Sequence, residues 1–149
     1  MYRTLSFIVI FSFVSVLLYF HNQNSHYQAS DHLESHGHEL INVPAGEKTP
    51  GINGKVMKDP SGSWLLAIDT ENFDFAPEKV GSTKITFNEG HAHIYLNGKK
   101  VNRLYGKYYN LGELDKGTYK LKVTLNANNH DSLAIDGNEI AFVHAFEVN

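Results

Sequence analysis

His91 and His93 are separated by one residue in the run Gly90-His91-Ala92-His93-Ile94-Tyr95-Leu96. On a β-strand alternate residues share a face, so the two imidazoles project side by side with their Cα atoms about 6–7 Å apart. That spacing lets a single Cu(II) or Zn(II) ion sit between two ring nitrogens. A third ligand has to come from elsewhere in the chain. His130 supplies one, in a polar loop that follows a long apolar strand, and Asp131 beside it supplies a fourth. Glu89 and Glu71 are further acidic candidates, and Met57 is a soft ligand suited to Cu(I). The expected metal set is therefore His91, His93, His130 and Asp131, with copper as the first choice and zinc as the second. Ligation requires neutral imidazole, so binding should weaken below about pH 6. The competing role is structural, in which the same rings hydrogen-bond to loop backbone and fix a hairpin.

Other residues point to packing rather than chemistry. His144 alternates with Ile140, Phe142, Phe146 and Val148, and is expected as a buried neutral imidazole on the core face. The stretch Tyr105 to Tyr109 reads as sandwich packing. The chain has no cysteine, which excludes disulfides, thiolate nucleophiles and Cys-type zinc sites. It carries no Gly-x-Ser-x-Gly, P-loop or dinucleotide fingerprint, so no enzyme activity is expected. A net charge of -3 with no basic cluster gives no reason to expect nucleic acid. The nine histidines make surface charge sensitive to pH near 6, because protonating all of them would reverse the sign of that net charge.

Period-two alternation broken by turn residues positions these groups from Lys55 onward. Trp64, Leu66 and Ile68 share one strand face. Ala92, Ile94 and Leu96 form an apolar face that alternates with His91, His93 and Tyr95. Asn97-Gly98 is a two-residue hairpin turn, since both residue types tolerate positive φ. In the return strand, Lys99 to about Tyr105, the simple register sets Val101 opposite Ile94 and Asn102 opposite His93. Tyr119, Leu121, Val123 and Leu125 form the next apolar face, and Ile140 to Val148 the last. About seven strands in this span predict an all-β antiparallel sandwich of the immunoglobulin-like or cupredoxin-like kind over residues 55–149. The start of a strand at Gly117-Thr118-Tyr119 is similar to the tyrosine corner of such folds.

Leu5 to Phe20 is uncharged and apolar, with Arg3 ahead of it. Residues 1–20 thus read as a signal peptide or signal anchor that places the rest of the chain outside the cytoplasm. The run is short for a membrane span, yet no clear cleavage site follows it. Residues 21–54 hold His21, His26, His32, His36 and His38 among polar residues, then several Pro and Gly, and read as a disordered His-rich tether able to capture metal.

The motif Gly90-His91-Ala92-His93, the strand Leu114-Asp115-Lys116-Gly117-Thr118-Tyr119-Lys120-Leu121 and the loop Asn129-His130-Asp131 together resemble a group of small exported bacterial domains with no assigned activity. The similarity covers most of residues 64–149. The group often has a proline before the glycine of its second motif, where this chain has Asp115-Lys116. The resemblance implies export and an immunoglobulin-like fold, and it implies no activity. The expectation that results is an exported or membrane-anchored copper-binding protein of the periplasm or cell surface, serving storage, delivery or tolerance. The alternative is a non-metal interaction module of the cell envelope.

Overall fold

The computed structural model describes residues 2–24, of which 21–24 by backbone alone, and residues 39–149. The chain divides into an N-terminal unit ending at Gly37 and a second unit, His38–Asn149. In the first unit a single helix, α1, runs from Tyr2 to Asn24. Its segment Tyr2–Phe20 is long and apolar enough to cross a membrane, with a mean hydropathy of 2.0. Its apolar side chains, Leu5 to Phe20, are exposed all round the helix. A helix without a polar face has no surface suited to water, which is the pattern of a membrane or signal segment.

The second unit is built from strands. They are β1 (Leu40–Asn42), β2 (Gly51–Lys58), β3 (Trp64–Glu71), β4 (Asp74–Phe75), β5 (Glu89–Leu96) and β6 (Lys99–Leu104). After these come β7 (Tyr108–Gly112), β8 (Gly117–Ala127), β9 (Ser132–Ile135), β10 (Asn138–Glu139) and β11 (Ala141–Val148). Strands β2, β3 and β7 make a three-stranded sheet in the order β2-β3-β7. The other eight form one sheet around the adjacent pair β5 and β8. Strand β5 carries β4 and β6 on its far edge, and β8 carries β9 and β11 on its own. Two sheets with a shared core make the β-sandwich-like arrangement that the alternation predicts. Two short pairings, β1 with β9 and β4 with β5, are parallel, which the antiparallel expectation did not include.

The core forms where the alternation places it. Ala92, Ile94, Leu121, Val123 and Leu125 of the large sheet are fully buried against Leu66 and Ile68 of the small one. Each buried Leu or Ile contributes about 1.5–3 kcal/mol, so this face fixes the register of β5 on β8. Trp64 and Phe146 meet across the sheets with ring centroids 5.0 Å apart. The Tyr119 hydroxyl donates to the Asp115 carbonyl at 3.0 Å, tying the start of β8 to the chain just before it.

The hairpin between β5 and β6 closes on Asn97 and Gly98, with φ of 51° and 82°. A β-branched residue resists that region. We expect Gly98→Val to destabilise the domain by about 1 kcal/mol or more, read from thermal melting, whereas an unchanged melting curve would mean the turn is not the constraint. Past the turn, the register departs from the simple one. A bulge between Ile94 and Tyr95 shifts the pairing by one, setting Ile94 opposite Asn102 and His93 opposite Arg103. Val101 is accordingly 43% exposed and not a core residue.

The stretch expected as tether divides. His26, His32, His36 and His38 lie outside the described residues, as does the side chain of His21. Residues 40–42 and 51–54, by contrast, are strand. Strand β1 is too short to show periodicity, and it is held by pairing with β9, where Leu40 faces Ser132 and Asn42 faces Ala134.

Candidate metal centre

Strand β5 lies inside the large sheet and is covered on both faces. Residues from Gly90 to Ile94 are all buried. Ala92 and Ile94 enter the apolar core, so His91 and His93 take the opposite face by alternation, and both have no exposed surface. Their cross-strand neighbours on β8 are Asn126 and Thr124. These two are also fully buried, and they form a polar patch behind the histidines.

That patch holds the loop that carries His130. Thr124 Oγ1 donates to Asn126 Oδ1 at 2.8 Å. Asn126 Nδ2 in turn donates to the His130 carbonyl at 3.2 Å and to Ser132 Oγ at 3.0 Å. The loop closes on itself through His130 N to Ala127 O and Ala127 N to Asp131 O, both 2.9 Å. His130 sits at φ 77°, in the left-handed region that non-glycine residues seldom occupy. Gly90, one residue before His91, faces Ala127, and an added Cβ there would stand 2.0 Å from the Asn126 carbonyl oxygen. The glycine of the Gly-His-x-His motif therefore permits the close approach of β5 to the end of β8.

The result is convergence. His91 Nε2 lies 2.9 Å from His93 Nε2 and 3.2 Å from His130 Nδ1. One ligand atom from each of the three histidines falls within 4.8 Å of the others. Around a tetrahedral ion with metal–nitrogen bonds of about 2.0–2.1 Å, neighbouring nitrogens are about 3.3 Å apart. Two edges of the triangle are thus within a few tenths of an ångström of ligand geometry. Three protein nitrogens leave a fourth position for another ligand. The ring of Tyr105 packs on His91 at 5.6 Å, and that of Tyr95 on His93 at 6.3 Å, which gives the cluster an aromatic wall. Burial, then the charge of Glu139, pushes the Tyr95 hydroxyl above its usual range, so it stays a neutral phenol.

Asp131 does not join the group, although it is next to His130. Its carboxylate accepts from Asn129 Nδ2 at 2.6 Å. Glu89 is on the strand face of His91 but is paired with Lys79 and accepts from Thr86 Oγ1, and these partners hold its carboxyl below the usual range. Met57 and Glu71 belong to the three-stranded sheet. His144 is half-buried, stacked between Phe142 at 6.0 Å and Phe146 at 6.1 Å as part of an aromatic ladder on β11. It shares the face expected for it but is not sealed in the core. Thr124 and Asn126 are the site residues that sequence reasoning passed over. Their signal was present, since they are the polar positions alternating with Val123 and Leu125 on the strand that pairs with the histidines.

Fold and site together define a β-sandwich domain with a three-histidine cluster that could hold a metal ion. No protein-family model, curated protein or solved structure matches the chain.

Proposed function

We propose that this chain is an exported or membrane-anchored metal-binding protein whose ion is copper, held outside the cytoplasm for storage, delivery or tolerance. The observation that carries the reading is the mutual approach of His91, His93 and His130 to within 4.8 Å. Residues distant in sequence converge on one point, and two of them are wholly buried there. A single ion between the rings would take one nitrogen from each, two of them from wholly buried side chains. The apolar helix supports export or anchorage through its length, its hydropathy and the charge of Arg3 before the uncharged run. Zinc is the competing ion, since imidazole serves both. The role is binding rather than catalysis, because the nearby carboxylates of Asp131 and Glu89 are already engaged. Metal analysis of the full-length protein isolated from its own cells tests the proposal. About one copper per chain is expected beyond what the tether histidines hold, and it should disappear in the His91→Gln, His93→Gln protein. Equal copper in both proteins would return the three histidines to a structural role and favour the interaction-module reading.

A further inference from the structure

We infer that the outer face of the three-stranded sheet, with the cleft beside it, is a binding groove for a neutral glycan chain. The inference stands apart from the metal reading, since none of its residues belongs to the histidine cluster. Leu66 and Ile68 of β3 are buried in the core, so Ala67 and Asp69 take the other face by alternation. Lys55 of β2 and Tyr108 of β7 flank Ala67, and Asn53 is paired with Asp69. A methyl group between two long side chains leaves a depression, and a hollow of about 330 Å³ lies there. Tyr108 belongs to the stretch expected as sandwich packing, yet it is 67% exposed. A second hollow, of about 520 Å³, meets the first at Asp69 and Lys107 and extends it past Asn72, Asp74 and Asn88.

The polar groups of this groove are held in place but not used up. Asn72 Nδ2 donates to the Thr49 carbonyl at 2.9 Å, and Asn88 Nδ2 to the carbonyls of Lys48 and Asn72 at 3.0 and 2.9 Å. These bonds fix both amides and leave their oxygens as acceptors. Among the described residues, the amide of Asn53 and the carboxylate of Asp74 have no partner. The charges are of both signs. Lys107 Nζ lies 3.3 Å from Asp69 Oδ1, and Lys48, Lys55 and Asp74 complete the set. A polyanion would meet Asp69 and Asp74, and a polycation would meet the lysines, so charge favours neither. An uncharged ligand that donates and accepts at many points does fit. Sugar hydroxyls do both, and the C–H face of a sugar ring stacks on the negative face of an exposed tyrosine. A protein partner fits less well, because such interfaces centre on clustered aromatic and apolar anchors. Among the described residues, Tyr108 is the one large exposed apolar side chain of this sheet.

The test uses the full-length protein in a detergent without a sugar headgroup, with a chelator present so that metal plays no part. Short neutral oligomers of glucose, xylose, mannose and N-acetylglucosamine are titrated in by calorimetry. Oligogalacturonate and glucosamine oligomers serve as the anionic and cationic comparators. At least one neutral oligomer is expected to bind with a Kd of about 1 mM or tighter, and both comparators about tenfold more weakly or worse. Salt should not change the neutral binding, because no ion pair is made. Tyr108→Ala should weaken it by about tenfold or more, and Asp74→Ala by about threefold or more. Both side chains are exposed, so melting temperature should stay as in the parent. Val143→Ala, at a 53% exposed position on β11 of the large sheet, should leave binding unchanged. No binding by any neutral oligomer at about 10 mM, binding that survives Tyr108→Ala, or comparators that bind as tightly would overturn the inference. Failure of the protein to bind copper would leave it standing.

Discussion

Replacing Gly90 with alanine should cost the domain about 3 kcal/mol or more, at the upper end of the range for overpacked sites. The new methyl would stand 2.0 Å from the Asn126 carbonyl oxygen, 3.1 Å from its carbonyl carbon and 3.2 Å from the Ala127 Cα. All of these are backbone atoms, so no flexible side chain can give way. Relief requires β5 and β8 to separate at the Gly90–Ala127 pair, and this is the place where the histidines meet Asn126. Stability and metal affinity should therefore fall together. The measurement is denaturant unfolding, with Gly106→Ala as the control. No atom lies within 4 Å of a Cβ at Gly106, so that variant should change stability by no more than about 0.5 kcal/mol. A Gly90→Ala protein as stable as the parent would show that the strand approach is looser than described.

His130→Gly should separate stability from binding. His130 adopts φ 77°, and holding a non-glycine residue there carries strain of order 1 kcal/mol. Glycine relieves that strain but loses more chain entropy on folding, so the unfolding free energy should shift by no more than about 1 kcal/mol. The bonds that hold the loop are made by backbone groups of Ala127, His130 and Asp131 and by Asn126, and they survive the change. Metal affinity, by contrast, should drop by about 100-fold or more, since losing a ligand exceeds the 10–100-fold effect of losing a partner behind one. His130→Ala loses the same ligand but keeps the strain, so it should match the glycine variant in affinity and fall below it in stability. If His130→Gly unfolds the domain, the imidazole is a structural part of the loop, and its strained backbone is not held for a ligand.

How far the sequence discloses this arrangement depends on the range of the interaction. The faces of β5 and β8 were legible, because alternation is local and the apolar sides of Ile94 and Leu125 can point only one way in a sandwich. The Asn97-Gly98 turn was legible for the same reason. The bulge after Ile94 was not, since an inserted residue leaves no mark on hydrophobic alternation, and Val101 is apolar though it faces solvent. The β1–β9 pairing joins segments about ninety positions apart through only a few residues, too few to carry a pattern. At the site, His91 and His93 follow from strand geometry alone. His130 does lie beside them, but what brings it there is a left-handed backbone and the Thr124–Asn126 bond, and neither can be read from residue spacing. Asp131 was expected as a fourth ligand from its adjacency to His130; it lies outside the three-histidine group, and its carboxylate accepts from Asn129.

The central claim is that His91, His93 and His130 bind one metal ion, and a direct titration tests it. The full-length protein with its five tether histidines, His21, His26, His32, His36 and His38, changed to glutamine should bind one equivalent of copper at micromolar metal or below. The same protein carrying His91→Ala and His93→Ala, shown by circular dichroism to retain its β structure, should bind none in that range. Equal binding by both proteins, or binding by neither, would contradict the account.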